Sequence, residues 1–179
     1  MRRLLLLRHA KTEADSPSGK DFDRRLDDRG RIDAATVGAW LKQHPPLPDL
    51  VCVSTAVRAR QTWDLMGAEI GAGDPPVVDY LEELYSAGPA ELLAVIRAAA
   101  TDDPAQLMIV AHNPGLHELA LALVGRGDDA ARKAIDDNLP TSGLAVIEFP
   151  IDDWGDVAFR GGRLVNFISP RLLKAGSGS

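Results

Sequence analysis

The segment Leu4–Leu7 constrains the fold of this chain more than any other, because four consecutive leucines are followed directly by Arg8 and His9. A short, continuously apolar run is typical of a strand that is buried on both of its faces. Strands of that kind lie at the centre of a sheet that has helices packed against each side. The abrupt change to a cation and an imidazole indicates a functional site at the end of the strand.

The rest of the chain alternates short apolar segments with segments of helical periodicity. Strands are expected within "DLVCVS", "PPVVDYLEELYSAG" and "AQLMIVAHNPG", and helices around 32–41, after Thr55 as the N-cap, from Pro89 to Ala100, and over Leu119–Val124. Residues 12–28 are expected to form a long polar loop. Near the end, "TSGLAVIEF" is expected to form a strand and "VAFRGGRLVNFI" a hairpin that turns at Gly161 and Gly162.

This alternation predicts an α/β fold, a three-layer sandwich with a largely parallel central sheet flanked by helices. The length of 179 residues fits one domain, which we place at residues 1–174. Residues 175–179, which end in "GSGS", are expected to be a flexible tail because of their composition.

Net charge, cysteine count and the length of the apolar runs indicate which kinds of partner and which cellular compartment to expect for this protein. A net charge of −6 argues against nonspecific binding to nucleic acid, because no basic excess is available to neutralise phosphates. The single cysteine, Cys52, cannot form an internal disulfide and fits a reducing compartment. No apolar run approaches the length of about 18 residues that a bilayer-spanning helix needs. We therefore expect a cytoplasmic protein without nucleic acid or membrane partners.

Three of the proposed strands are followed by reactive polar residues: Arg8 and His9, the segment Ser54–Arg58, and His112 with Asn113. Ligands of open α/β sheets bind outside the carboxyl ends of the strands, so these segments are expected to converge. Two arginines and two histidines suit a phosphoryl dianion, because guanidinium groups match phosphate oxygens bidentately. The start of the helix after Ser54 adds amide donors for the same anion.

A histidine can attack phosphorus when one ring nitrogen is unprotonated and the other is held as a donor. Neighbouring cations favour the neutral ring and stabilise the charge on the transferring phosphoryl group. The pattern therefore predicts that one histidine accepts the phosphoryl group and that water later releases it. A carboxylic acid would protonate the leaving oxygen.

Four segments carry a resemblance to a known family. In this order, "LLLLRHAK", "DFDRRLDDRGRIDA", "VSTAVRARQT" and "VAHNPG" resemble the motifs of the histidine phosphatase (phosphoglycerate mutase-like) superfamily. The "RHA" triplet, together with the "DFDRRLDDRG" stretch of the second segment, is most similar to the SixA-like phosphohistidine phosphatase branch. The resemblance covers roughly residues 3–150.

The resemblance implies a metal-independent phosphatase that forms a phosphohistidine intermediate, without a cofactor. His9 would be the nucleophile, and Arg8, Arg58 and His112 would complete the phosphate pocket. The substrate would be a phosphorylated protein, with phosphohistidine foremost, or a small phosphate ester. Glu83, preferred over its neighbour, would be the general acid. The alternative for Glu83 is a structural role, because a phosphohistidine leaving group departs as a ring nitrogen and needs less acid help.

Other residues and other readings accompany this interpretation. Lys11 and Asn113 are expected to contribute to substrate binding at the mouth of the pocket, with simple solvation as the alternative for Lys11. A metal site is disfavoured because both histidines lie beside arginines rather than carboxylates. A mutase of the same superfamily is disfavoured because mutases carry longer loops and "RHG".

Two functional alternatives remain. Cys52 and Arg58 have the C-x5-R spacing of cysteine-based phosphatases, although this segment has no glycine and Cys52 lies within an apolar strand, where burial would raise its pKa. The second alternative is a phosphate-binding module without turnover.

Overall fold

The computed structural model describes residues 1–177, which form a seven-stranded mixed sheet with six α-helices around it. The strands are β1 (Arg2–Arg8), β2 (Leu50–Ser54), β3 (Val77–Leu81), β4 (Gln106–Ala111), β5 (Val124–Gly127), β6 (Leu144–Phe149) and β7 (Gly162–Ile168). The helices are α1 (Asp28–Gln43), α2 (Val57–Ile70), α3 (Pro89–Ala98), α4 (Gly115–Leu123), α5 (Asp129–Asp137) and α6 (Pro170–Ser177).

The strand order is β3-β2-β4-β1-β6-β7-β5. Strands β3, β2, β4 and β1 run parallel to one another, whereas β6 is antiparallel to both β1 and β7. The carboxyl ends of β2, β4 and β1 therefore meet at one edge of the sheet. The polar segment 12–28 crosses near this edge with a short 3₁₀ turn, Asp21–Asp23, and an isolated bridge between Thr12 and Leu26.

The leucines of β1 divide the core into two layers. Leu4 and Leu6 pack with apolar side chains of α3, α4 and α5, whereas Leu5 and Leu7 pack with those of α1 and α2. Successive residues of a strand point to opposite faces of the sheet, so one apolar run supplies both layers. The predicted three-layer α/β sandwich with a largely parallel sheet is confirmed.

The edge of the sheet formed by β7 and β5 differs from the sequence prediction. The predicted helix over Leu119–Val124 begins earlier and ends at Leu123, and residues 124–127 form β5 beside β7. The predicted hairpin turning at Gly161 and Gly162 is wrong, because residues 157–161 form no strand and Gly162 begins β7. A Cβ on Gly162 would lie 2.5 Å from Cγ2 of Ile147 in β6, so this glycine permits close packing within the sheet.

The start of α2 also differs from the prediction. The predicted N-cap, Thr55, is wrong, because the helix begins at Val57 with Ala56 as its N-cap, and Oγ1 of Thr55 is buried without a hydrogen-bond partner among the described residues. The hydroxyl of Ser54 instead accepts a hydrogen bond from the backbone N–H of Ala56 at 3.3 Å. Ser54 is thereby fixed at the end of β2.

The end of the described chain is helical. Helix α6 reaches Ser177, so the boundary predicted for a flexible tail at residue 175 falls inside this helix, and residues 178–179 lie outside the described residues. Within residues 1–177, no helix is both long enough and apolar enough to cross a membrane.

Candidate active site

The predicted polar residues meet at the carboxyl edge of the parallel strands. Arg8 ends β1 and is followed by His9, Arg58 lies in the first turn of α2 after β2, and His112 follows β4. All four side chains line one cavity of about 560 Å³, called the phosphate cavity below after the anion that the sequence predicts there. The structure therefore brings together the two arginines and the two histidines that the sequence singled out.

His9 is held with one ring nitrogen free. Its side chain is only 8% exposed, and its Nδ1 lies 2.8 Å from the carbonyl oxygen of Ala10. A carbonyl oxygen can only accept, so Nδ1 carries the proton and Nε2 keeps its lone pair. Burial, followed by the nearby charges of His112, Arg58 and Arg8, lowers the pKa of His9 to about 3. At neutral pH the ring is therefore neutral and able to act as a nucleophile.

His112 is assigned the same tautomer as His9, with its proton on Nδ1. Its Nε2 lies 2.7 Å from Oγ of Ser54, and that oxygen already accepts from the backbone N–H of Ala56. We assign the hydroxyl of Ser54 as the donor to Nε2, because this tautomer leaves the proton of His112 on Nδ1, where an anion can accept it. Burial and the charge of Arg58 lower the pKa of His112 to about 4. The centroids of the His9 and His112 rings are 5.1 Å apart, so a neutral donor lies beside the free Nε2-bearing ring of His9.

The two arginines are anchored at their outer nitrogens. The terminal nitrogens of Arg58, which is 6% exposed, donate to the carbonyl oxygen of Asp21 at 2.7 Å and to its Oδ2 at 2.9 Å. Nη1 of Arg8 donates to the carbonyl oxygen of Leu139 at 3.2 Å. These contacts fix both guanidinium groups while leaving donors on each of them unused.

Three buried donors of the cavity-lining residues have no protein partner. Nε of Arg8, Nε of Arg58 and Nδ1 of His112 each lack a hydrogen-bond partner among the described residues. Buried polar groups are nearly always hydrogen-bonded, and an unpaired buried donor costs about 1–3 kcal/mol. The residues that carry these donors come from three separate segments and line one cavity with His9, an arrangement suited to the oxygens of a phosphoryl group.

The structure adds two residues that the sequence did not indicate, Asp21 and Tyr85. The hydroxyl of Tyr85 donates to Oδ2 of Asp21 at 2.7 Å, and Arg24 donates to Oδ1 at 3.2 Å. The hydrogen bond from Tyr85 is the largest cause, with those from Arg58 and Arg24, of a pKa of Asp21 near 2. No spacing or periodicity points to Asp21 or Tyr85, because each lies in an irregular segment.

Glu83 does not line this cavity, which corrects its assignment as the general acid. Its side chain is exposed and lines a second cavity of about 480 Å³ together with Cys52 and Asp79. The 3₁₀ turn Glu82–Leu84 explains this placement. It buries Leu84 in the core, so that Glu83 and Tyr85 lie on different sides of Leu84 along the chain, and it is Tyr85 that lines the phosphate cavity.

The two residues predicted to bind substrate at the mouth both line the cavity, in different roles. Lys11 is exposed at its edge. Asn113 uses its side-chain amide structurally: Nδ2 donates to the carbonyl oxygen of Leu139 at 2.8 Å, and Oδ1 accepts from the backbone N–H of His117 at 3.2 Å. Asn113 therefore ties the start of α4 to the loop before β6.

Cys52 and Arg58 do not share a site. Cys52 is 4% exposed in the middle of β2, and burial, with smaller effects from Asp79, Asp102 and Glu83, raises the pKa of its thiol to about 12. It lines the second cavity, whereas Arg58 lines the phosphate cavity. The C-x5-R spacing in the sequence therefore does not correspond to a thiolate above a phosphate loop.

Known proteins resemble this chain over most of its length. An uncharacterised protein of Mycobacterium leprae is 37% identical over 172 residues, an alignment that covers 92% of this chain and all of that protein. A solved structure from Agrobacterium tumefaciens, named as phosphohistidine phosphatase SixA, is 31% identical with a TM-score of 0.77, covering 94% of this chain and 98% of its own. A second structure of that name, from Nakamurella multipartitia, is 30% identical with a TM-score of 0.75, covering 94% and 96% of the two chains.

The family comparison agrees with the geometry of the site. The model of the histidine phosphatase superfamily (branch 1) matches residues 4–147, a range that contains β2, β4 and most of β1 together with His9, Arg58 and His112. The chain therefore belongs to the histidine phosphatase superfamily (branch 1), with a phosphatase fold like that of the SixA structures.

Proposed function

We propose that this protein hydrolyses phosphorylated substrates through a phosphohistidine intermediate on His9, with protein phosphohistidine as the substrate class. The observation that carries the proposal is that Arg8, Arg58 and His112, each with an unpaired buried donor, line one cavity with a histidine whose Nε2 is free. Such a set binds an oxyanion and leaves the nucleophile unprotonated.

The reaction consists of two displacements at phosphorus. Nε2 of His9 attacks the phosphorus, and the bond from phosphorus to the leaving group breaks. The guanidinium groups of Arg8 and Arg58 and the Nδ1–H of His112 stabilise the charge on the phosphoryl oxygens. Water then attacks the phosphorylated His9, releasing inorganic phosphate and restoring the neutral ring.

A protein-borne phosphoryl group is supported by the mouth of the cavity and by the related structures. Lys11 and Glu118 line the cavity and are exposed, so the site opens to solvent where a substrate side chain can enter. Two SixA structures with at least 30% identity over 94% of this chain are named as phosphohistidine phosphatases. A small phosphate ester is the second candidate, because the donors contact the phosphoryl group itself.

The test is to trap the intermediate and to compare two variants. The protein is mixed with a phosphohistidine peptide, p-nitrophenyl phosphate or a sugar phosphate, quenched, and analysed for a phosphoryl group that is labile to acid and stable to base. We expect His9→Ala to remove this label and to lower kcat by about a thousandfold or more, because the nucleophile is lost.

Cys52→Ser is the matched control. We expect it to keep the label and to stay within about twofold of the wild-type rate, because the thiol is buried outside the phosphate cavity. Loss of turnover in Cys52→Ser with survival in His9→Ala would establish the cysteine mechanism instead. Phosphate binding without turnover on any of the three substrates would establish a binding module.

A further inference from the structure

Two carboxylates line the phosphate cavity, and only one of them has partners. Asp21 accepts hydrogen bonds from Tyr85, Arg58 and Arg24, so its charge is compensated inside the protein. The other carboxylate belongs to Glu118. Among the hydrogen bonds and ion pairs of residues 1–177, none engages its side chain, and its backbone N–H donates to the carbonyl oxygen of Pro114 at 3.0 Å.

The local structure directs Glu118 to the cavity. Leu116 and Leu119 of α4 are fully buried in the core, whereas Gly115 and Glu118 line the cavity. Residues three apart lie on the same face of a helix, so the first turn of α4 presents Glu118 to the cavity on the same wall as Gly115. His112 precedes this turn, which places the carboxylate on the element that also carries part of the phosphate pocket.

A free carboxylate does not help to bind phosphate. It repels the phosphoryl dianion that Arg8, Arg58 and His112 are arranged to hold. The complement of such a carboxylate is a cationic hydrogen-bond donor attached to the phosphoryl group. Among the leaving groups of phosphorylated substrates, an imidazolium ring meets this description, and an alcohol or a phenol does not.

We infer that Glu118 is a specificity-determining residue that accepts a hydrogen bond from the distal ring N–H of a substrate phosphohistidine, an inference that rests on the proposed function. When the distal nitrogen carries its proton, the bond between phosphorus and the other ring nitrogen breaks with its electron pair moving onto that nitrogen. The ring then departs as neutral imidazole. At the same time Nε2 of His9 forms its bond to phosphorus, so no further proton is required.

The carboxylate of Glu118 stabilises the cationic form of the substrate ring, which is the form that reacts. Because a phosphate ester has no such cation, Glu118 favours phosphohistidine over phosphate esters as the substrate. Charge-assisted hydrogen bonds are stronger than neutral ones, and the loss of one at a solvent-facing position corresponds to a change of about tenfold in rate. The effect falls on one class of leaving group, which separates it from a general contribution to catalysis.

The experiment compares Glu118→Gln with wild type on two substrates. We expect kcat/KM for a phosphohistidine peptide to fall about tenfold, whereas kcat/KM for p-nitrophenyl phosphate does not fall and rises by up to about threefold, because the charge that repels its phosphoryl group is removed. Glu83→Gln is the matched control, an exposed glutamate on the second cavity, and is expected to change neither value.

The outcomes separate this inference from the proposed function. An equal fall on both substrates, or no fall on phosphohistidine, would overturn the role of Glu118. The proposed function would survive either result as long as His9→Ala still removes the phosphoryl label. If the wild-type protein forms no acid-labile phosphoryl label with any substrate, the proposed function itself is overturned.

Discussion

At the residue scale, the two histidines of the site reach their tautomers by different means. His9 donates Nδ1–H to the carbonyl oxygen of the next residue, Ala10, so its free Nε2 depends on a contact within its own segment. His112 depends on Ser54, a residue 58 positions away along the chain. The tautomer of the proposed nucleophile, His9, is therefore determined by a contact within its own segment. The tautomer of His112 is determined by the packing of β2 beside β4.

The depressed pKa of His9 predicts a pH-dependent stability. The ring titrates at about 3 in the folded protein, compared with 6.5 as its ordinary value, so between these limits the unfolded chain binds more protons. The stability contributed by neutral His9 is complete above pH 6.5 and is lost as the pH falls toward 3. We expect the free energy of unfolding in urea to fall more steeply between pH 7 and pH 4.5 in wild type than in His9→Gln, as measured by circular dichroism. Parallel slopes would contradict the depressed pKa.

Asp21 places a negative charge against Arg58 inside the phosphate cavity. We expect Asp21→Asn to tighten inhibition by inorganic phosphate about threefold, because a charge that opposes the anion is removed while an oxygen remains to accept from Tyr85. The measurement is the inhibition constant of phosphate in the p-nitrophenyl phosphate assay. Asp23→Asn, in the same 3₁₀ turn but outside the cavity lining, is the control. Unchanged or weaker inhibition by phosphate would show that anchoring Arg58 outweighs the charge of Asp21.

At the element scale, the approach of α4 to the loop after β3 shapes one wall of the site. A Cβ on Gly115 would lie 2.0 Å from the carbonyl oxygen of Ala87, so only glycine lets the first turn of α4 reach this loop. The same contact sets the distance between the segment carrying His112 and the loop carrying Tyr85, whose rings meet edge to face at 5.6 Å.

This contact predicts a large effect of a single methyl group. We expect Gly115→Ala to lower the free energy of unfolding by about 2–4 kcal/mol and to lower kcat/KM as well, because the backbone of α4 or of the loop must shift. Gly73→Ala is the control, since a Cβ there meets nothing within 4 Å. Urea unfolding and the phosphatase assay measure both quantities, and equal behaviour of the two variants would contradict the role given to this contact.

At the scale of the whole molecule, strands β1, β2, β4 and β6 were predictable from the sequence, whereas β5 and the turn before β7 were not. Strands β1, β2 and β4 are apolar runs bounded by polar residues, and the residues that follow them indicated the phosphate pocket. Strand β5, "VGRG", contains two glycines and one arginine, so it has no pattern of its own and becomes a strand by pairing with β7. Asp21 and Glu118 were missed because their roles depend on how a loop and a helix turn face the cavity. Glu83 was predicted to lie in the phosphate cavity but lines the second one, because Glu83 and Tyr85, two residues apart in a tight turn, line different cavities.

The position of the nucleophile in the chain has a consequence for biosynthesis. The backbone carbonyls of Arg8 and His9 accept hydrogen bonds from the N–H of Ser142 at 3.2 and 3.1 Å, and Leu139 holds the guanidinium of Arg8. A ribosome therefore translates Arg8 and the proposed nucleophile His9 more than 130 residues before Leu139 and Ser142, the residues that hold them in place. Until Leu139 and Ser142 have been translated, the nascent chain carries His9 without the contacts that complete its pocket. The active site can therefore form only after Ser142 has been translated.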